Sequence, residues 1–222
     1  MYSLIDKLVG FNHFLIVSIL MVPILFFLFY NDLNHLSILL FFLISFNLLS
    51  FYSYLYLSDS FDPKVHLPLH LCYITEFAIL LNLFLKNQFL LPWLFLNSVL
   101  GGVVGFVNSN LTFNSLYIEY VHYYLSHFNL VLFSIIFFKS YFKISFSDLV
   151  RSVYFNAILL VSVICFNYYF QSNYWFTFKK PIGTNLSFFF PQWPYYLFFL
   201  IFLGLLSYSL TFIFLLNRRY AK

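Results

Sequence analysis

Two residues inside apolar segments of the sequence are candidates for a nucleophile and its base: Cys72, which ends LPLHLC (67–72), and His127, in LSHF (125–128). A thiol is a weak nucleophile until a base removes its proton, so a catalytic cysteine in a membrane needs a partner such as histidine. Such a pair on two helices could meet between them and be catalytic. The residue types leave a second interpretation open, a structural thiol and a histidine that hydrogen-bonds a neighbouring helix.

The apolar segments contain four further ionisable side chains, His70, Glu76, Glu119 and His122. Ionisable groups in a membrane are costly and are therefore hypotheses about function. Cys72 and Glu76 are four residues apart and share one face of a helix, as Tyr124 and His127 do on another. We expect Glu76 either to orient His127 or to be protonated within a hydrogen bond.

The predicted helix boundaries give a depth for each candidate. If the third helix begins at residue 67, Pro68 lies in its first turn, where the missing N–H costs little, and Cys72 lies roughly 8 Å along the helix. His127 lies roughly 16 Å along a helix that begins at residue 116.

A metal site is a weaker hypothesis from the same region. Asp62, His66 and His70 recur every four residues, and all three side chain types bind zinc. Because Pro63 and Pro68 interrupt the helical register and no fourth ligand is evident, we expect no metal and no other cofactor.

The composition identifies the elements that position these residues. Of 222 residues, 63% are hydrophobic and 8% are charged, and the mean hydropathy is +0.89. A soluble protein has roughly 25% charged residues, so the chain is predicted to be an integral membrane protein. No cluster of basic residues exceeds a pair, which argues against nucleic acid as a partner.

A membrane-spanning helix needs about 20 mainly apolar residues, and seven segments meet this length. They lie near 11–30, 36–57, 67–86, 89–108, 116–138, 149–170 and 194–216. The predicted fold is all-α and polytopic, a single membrane domain over residues 1–222. A first segment that spans only half of the membrane would reduce the count to six.

Seven spans place the two termini on opposite sides, and the basic residues favour one orientation. Four Lys or Arg residues fall on the N-terminal side and seven on the other. Positively charged loops face the cytoplasm, so we predict a multi-pass protein of the cell membrane with a cytoplasmic C-terminus.

The connection between the last two spans, residues 173–196, is long and aromatic. It returns to the side of Cys72, so we expect it to cover the opening of the bundle and to place Asn173, Tyr174 and Lys180 beside the candidate site. The alternative is an aromatic belt at the membrane interface without a chemical role.

Four stretches together carry a resemblance to a known family: LPLHLC (67–72), YLSHFNLVLF (124–133), NYWFTFKKP (173–181) and PQWPYY (191–196). The chain resembles the YwaF-like integral membrane proteins of bacteria. That family looks related to a eukaryotic transmembrane Cys/His phospholipid acyltransferase, and more remotely to intramembrane Thr/His lipid hydrolases of the androgen-induced-gene type. The resemblance implies that Cys72 and His127, rather than Cys165 and His122, are the essential pair.

Two stretches depart from the pattern of these relatives. GGVVGFVNSN (101–110) stands where relatives often have a Thr-Pro-Asp-like turn, and SFFFPQ (187–192) lacks their acidic residue. This chain therefore lacks the acidic groups that could orient substrate in those relatives.

The sequence thus predicts an intramembrane lipid acyltransferase or hydrolase with membrane lipids as partners. His127 would act as the base for Cys72, and Asn173, Tyr124 or a backbone N–H near Pro68 would stabilise the oxyanion. The alternative is a non-catalytic membrane protein, a small-solute permease or an assembly factor, whose polar groups only join helices.

Overall fold

The computed structural model describes residues 4–112, 114–181 and 189–220, and within these ranges the regular structure is entirely helical. The seven α-helices are α1 (Leu4–Phe29), α2 (Leu33–Leu57), α3 (Leu71–Leu85), α4 (Leu91–Val107), α5 (Tyr117–Lys139), α6 (Phe146–Phe170) and α7 (Tyr195–Tyr220). A short 3-10 turn, Tyr174–Phe176, follows α6. Each predicted span corresponds to one of these helices, so the all-α polytopic fold is confirmed.

Five of the helices are long and apolar enough to cross a membrane, whereas α3 and α4 are shorter, with 15 and 17 residues. The boundary predicted for α3 was wrong, because the helix begins at Leu71 and not at residue 67. His70 has an extended backbone (φ −65°, ψ 141°), and the Leu69 N–H donates to the Leu67 carbonyl in a turn. Pro68 therefore precedes the helix, and Cys72 is its second residue instead of lying 8 Å along it.

The α5 helix lies at the centre of the bundle, in contact with α1, α2, α3 and α4. In its span 67% of the residues are buried, against 11–28% in the other four long spans. Their exposed faces are apolar, as lipid requires. The central position explains why α5 holds several buried polar side chains: His122, Ser126, His127 and Asn129.

Glycines on α4 allow its backbone to approach α3 and α5 closely, as small residues do in membrane helix pairs. A Cβ atom added at Gly105 would lie 1.8 Å from Cδ2 of His127, which is a severe clash with the imidazole ring. A Cβ atom at Gly101 would lie 2.9 Å from Cδ1 of Leu130 and 3.1 Å from Sγ of Cys72. This side of α4 is therefore a contact surface for both candidate residues.

We expect Gly105→Ala to destabilise the protein by about 1–3 kcal/mol, because the methyl group overfills a packed site and displaces the His127 ring. Gly204→Ala in α7 is the matched control, since its Cβ atom would meet only Leu100 Cδ2, at 4.0 Å. Thermal unfolding in detergent measures both effects. Equal unfolding midpoints for the two variants would contradict the close approach at Gly105.

Candidate functional site

Cys72 lies at the N-terminal end of α3, half-buried beside Gly101 of α4. It lines a cavity of about 370 Å³ between α3, α4, α6, α7 and the turn at 174–176. Cavities of this size are typical of small-ligand sites. The thiol therefore has access to a space that is large enough for a substrate.

The walls of this cavity are mainly aliphatic and aromatic. Leu160 of α6 and Leu200 of α7 contribute to the two long walls, and Trp175 and Phe176 line it from the turn. Among the described residues that line it, none carries a full charge. Such a lining suits a hydrocarbon far better than a polar solute.

His127 is buried on α5, and its hydrogen bond fixes the position of its proton. Nδ1 lies 2.7 Å from the carbonyl oxygen of Tyr123, one helical turn earlier. A carbonyl oxygen only accepts, so Nδ1 carries the proton and Nε2 has the lone pair of a base. No described residue donates a hydrogen bond to Nε2, which faces Gly105.

The α4 helix brings Cys72 and His127 to neighbouring positions. Sγ of Cys72 contacts the Gly101 site and the His127 ring contacts the Gly105 site. These two glycines are one helical turn apart, about 6 Å along the axis. Cys72 lines the cavity, whereas His127 is not among the residues that line it.

His70 is the second histidine near the thiol, and it lines the cavity with Cys72. The backbone N–H of Trp175 donates to Nδ1 of His70 across 3.3 Å. Nδ1 is therefore an acceptor, and in the neutral ring the proton is on Nε2. His70 thus provides an N–H donor where His127 provides a lone pair.

Glu76, one turn after Cys72, is fully buried in a polar network that joins α2, α3 and α5. Nδ2 of Asn47 and Nδ2 of Asn129 donate to Oε1 across 3.0 and 2.7 Å. The Ser126 hydroxyl lies 2.6 Å from Oε2. The partners of the carboxyl group are therefore Asn47, Ser126 and Asn129, and His127 is not one of them. These contacts fit a role for Glu76 in joining helices and not one in orienting His127.

His122 extends the same network instead of joining the thiol. Its Nδ1–H donates to Oδ1 of Asn47 across 3.1 Å, and its ring stacks on Phe51 with centroids 3.9 Å apart. This histidine therefore joins α5 to α2.

The other predicted supporting residues have their polar atoms engaged elsewhere. The Tyr124 hydroxyl donates to Nδ1 of His13, 3.0 Å away, because Nε2 of His13 donates to the Phe106 carbonyl. Nδ2 of Asn173 donates to the Lys179 carbonyl, which folds the connection. The structure does not bring the polar atoms of Tyr124 or Asn173 to the cavity.

Tyr174 and Lys180 hold the connection in place. The Tyr174 hydroxyl accepts from the Leu67 N–H at 2.9 Å and donates to the Pro63 carbonyl at 2.8 Å, while burial raises its pKa to about 12. Nζ of Lys180 donates to the Phe190 carbonyl. The connection does lie against the start of α3, although residues 182–188 are outside the described residues.

The three residues of the metal hypothesis, Asp62, His66 and His70, do not converge on one point. Nδ1 of His66 accepts from the Asp62 N–H at 2.8 Å, and Nε2–H donates to Glu119 at 3.3 Å. His70 instead contacts the turn at 174–176. Within the described part of the chain, these residues do not assemble into a group that could hold a metal ion.

A second polar network, which was not predicted from the sequence, lies at the far end of the cavity, where Asn156 of α6 and Tyr208 of α7 line it. Nδ2 of Asn156 donates to the Tyr208 hydroxyl at 2.8 Å and to Oδ1 of Asn97 at 3.0 Å, and Nε1–H of Trp93 donates to Oδ1 of Asn156 at 2.7 Å. A search for uncharged amides inside the predicted spans, beside the ionisable groups, would have found Asn97 and Asn156.

The comparison with protein families agrees with this architecture of apolar helices and internal polar groups. The family model that matches the chain is described as the TMEM164 family, and it covers residues 8–212. The chain belongs to the TMEM164 family. Cys72, His127 and both polar networks lie inside the match to the TMEM164 family, which is a family of transmembrane proteins. Searches of the curated proteins and of the solved structures found no match.

We expect Glu76→Ala to lower the free energy of unfolding by about 2–4 kcal/mol, because it leaves the buried amides of Asn47 and Asn129 without their acceptor. Glu76→Gln should cost less, since its amide retains one acceptor oxygen and a donor for Ser126. Asp62→Ala, on an exposed loop, is the control. Unfolding of the detergent-solubilised variants provides the measurement, and a Glu76→Ala variant as stable as Asp62→Ala would disprove the role of the network.

Proposed function

We propose that this protein is an intramembrane enzyme that transfers the acyl group of a membrane lipid through a thioester on Cys72. The observation that supports the proposal most directly is the position of the thiol. It lies at the wall of an apolar cavity, with the imidazole of His127 one turn of α4 away and its Nε2 lone pair free for a proton.

The reaction begins with proton transfer from the Cys72 thiol to Nε2 of His127. The thiolate attacks the carbonyl carbon of the lipid ester, and the C–O bond to the alcohol breaks when the tetrahedral intermediate collapses. The lipid must bind with its departing oxygen directed past the thiol, within hydrogen-bond reach of His127. The alkoxide then takes the proton of the imidazolium, which leaves an acyl thioester and a free alcohol. Water or the hydroxyl of a second lipid then gives its proton to His127 and attacks the thioester, and the released thiolate takes the proton back.

The oxyanion of the tetrahedral intermediate needs hydrogen-bond donors at the cavity. His70 offers its Nε2–H, because its Nδ1 is an acceptor. The backbone N–H groups of Leu71 and Cys72 are in the first turn of α3, where a helix lacks internal acceptors. These donors replace Asn173 and Tyr124 in the mechanism, while the expected backbone N–H near Pro68 is retained.

The apolar lining of the cavity supports membrane lipids as the partners. The resemblance of four stretches to the YwaF-like proteins, and through them to a transmembrane Cys/His phospholipid acyltransferase, supports the same chemistry at Cys72 and His127. The distribution of Lys and Arg supports a location in the cell membrane with a cytoplasmic C-terminus.

The purified protein in phospholipid vesicles with a labelled acyl chain should form a hydroxylamine-sensitive acyl adduct on Cys72. We expect Cys72→Ser and His127→Ala to reduce acyl turnover at least about 100-fold, because each removes a group that acts in the transition state. Cys165→Ser is the matched control, since that thiol is exposed on α6. Turnover in Cys72→Ser equal to that of Cys165→Ser would exclude Cys72 as the nucleophile, and wild-type turnover no greater than that of empty vesicles would support a non-catalytic membrane protein instead.

His70→Ala should reduce turnover by about 10²–10³-fold, which is the usual effect of a lost oxyanion donor. His70→Gln retains an N–H donor and an acceptor for the Trp175 N–H, so we expect it to recover part of the rate. Single-turnover acylation kinetics of the two variants separate this role from binding. Equal rates in Ala and Gln variants would show that His70 is not the donor.

A further inference from the structure

The cavity beside Cys72 is elongated along α7. Residues of this helix line it from Leu197 to Tyr208, and eleven residue steps of an α-helix correspond to about 16 Å. Ala157 of α6 and Gly204 of α7 are small residues in its walls and leave its middle open. The space is therefore a groove that runs along the helices, and its shape matches a linear molecule.

The volume of the groove limits what fits inside it. Its volume of about 370 Å³ is at the lower end of the range of small-ligand sites, roughly 300–1,000 Å³, and its length matches one extended hydrocarbon chain. A second chain of the same lipid would have to lie outside the groove, against the apolar outer faces of the helices.

The far end of the groove is closed by groups that already have partners. Asn156 and Tyr208 hydrogen-bond each other, and both bond to Asn97, with Tyr208 at 2.5 Å and Asn156 at 3.0 Å from its Oδ1. Because these groups already bond to each other, a polar head group would gain little by replacing those hydrogen bonds. The end of the groove therefore acts as a wall for an apolar ligand.

The Cys72 thiol lines the groove at the start of α3, on the side of the turn at 174–176. Leu100 Cδ2 is 4.0 Å from the Cβ position at Gly204, and the next residue, Gly101, contacts Sγ of Cys72. We infer that the groove binds one unbranched acyl chain along α7, with its first carbons next to the Cys72 thiol. This inference rests on the proposed function for the chemistry at the thiol. Binding of the chain, however, does not require catalysis and can be measured without it.

Photo-crosslinking in a variant that cannot form the thioester tests the binding alone. The Cys72→Ala protein in phosphatidylcholine vesicles is irradiated with dodecanoic acid that has a diazirine on its chain, and the labelled residues are mapped by mass spectrometry. We expect labelling at Leu200 and Gly204, inside the groove, that excess dodecanoic acid abolishes. The exposed residues Phe198 and Phe202 report labelling from the surrounding lipid, which the competitor does not abolish.

Substitutions within the same background show which surface binds the chain. Gly204→Leu places a large side chain in the groove and should reduce the competed labelling about tenfold. Ala157→Leu, on the facing helix, should give a similar loss and provides a second test if Gly204→Leu fails to fold. Ser209→Leu adds the same side chain on the exposed side of α7 and should have no effect.

The outcomes separate this inference from the proposed function. Competed labelling that survives both groove substitutions, or that occurs only at Phe198 and Phe202, overturns the groove even if wild-type protein turns over lipid. Competed labelling that both substitutions remove establishes the groove even if no acyl adduct ever forms on Cys72.

Discussion

The carboxyl group of Glu76 imposes the main constraint on this bundle. A carboxyl group inside a membrane is tolerated only where donors surround it, and here α2 and α5 supply them through Asn47, Ser126 and Asn129. The hydrogen bonds therefore fix the rotation of α2, α3 and α5 about their axes and their positions along the membrane normal relative to each other. Cys72 is one turn before Glu76 on α3, so the network also fixes where the thiol lies.

The second constraint is the glycine-lined surface of α4. At Gly101, Gly102 and Gly105 the backbone of α4 approaches its neighbours so closely that a methyl group would clash with Leu130, Val131 or His127. Lipid tails are as apolar as the helix surfaces, so the hydrophobic effect does not favour contact between helices over contact with lipid. Close van der Waals packing therefore stabilises this approach. The glycines thus hold the His127 ring in place and support the thiol, while the polar network fixes the helices that hold both.

The sequence predicted the helices well and the details of the site only in part. Hydropathy over about 20 residues is a strong signal, and it identified all seven helices. It began α3 four residues too early, because residues 67–70 continue the apolar segment although they form a turn that precedes the helix. The residue types also indicated Cys72 and His127, but no spacing in the sequence shows that α4 would bring both to neighbouring turns.

Hydrogen-bond partners were beyond the reach of the sequence for a physical reason. A tyrosine or asparagine inside a membrane bonds to whichever group the packing brings closest, and that group is often far away in the chain. Tyr124 bonds to His13, which is 111 residues away, and Asn156 bonds to Tyr208, 52 residues away. Composition shows that such groups need partners, and only the packing shows which ones.

The main chain gives the two histidines near the thiol opposite properties. A carbonyl of α5 holds the proton of His127 on Nδ1, while a backbone N–H of the turn at 174–176 keeps Nδ1 of His70 free of a proton. One ring therefore presents a lone pair and the other presents an N–H. In the proposed acyl transfer, the thiol loses a proton and the ester carbonyl oxygen gains negative charge, and these two events use the two properties on different residues. The backbone carbonyl and amide keep this difference in place without any charged group in the cavity, where lipid would penalise a charge.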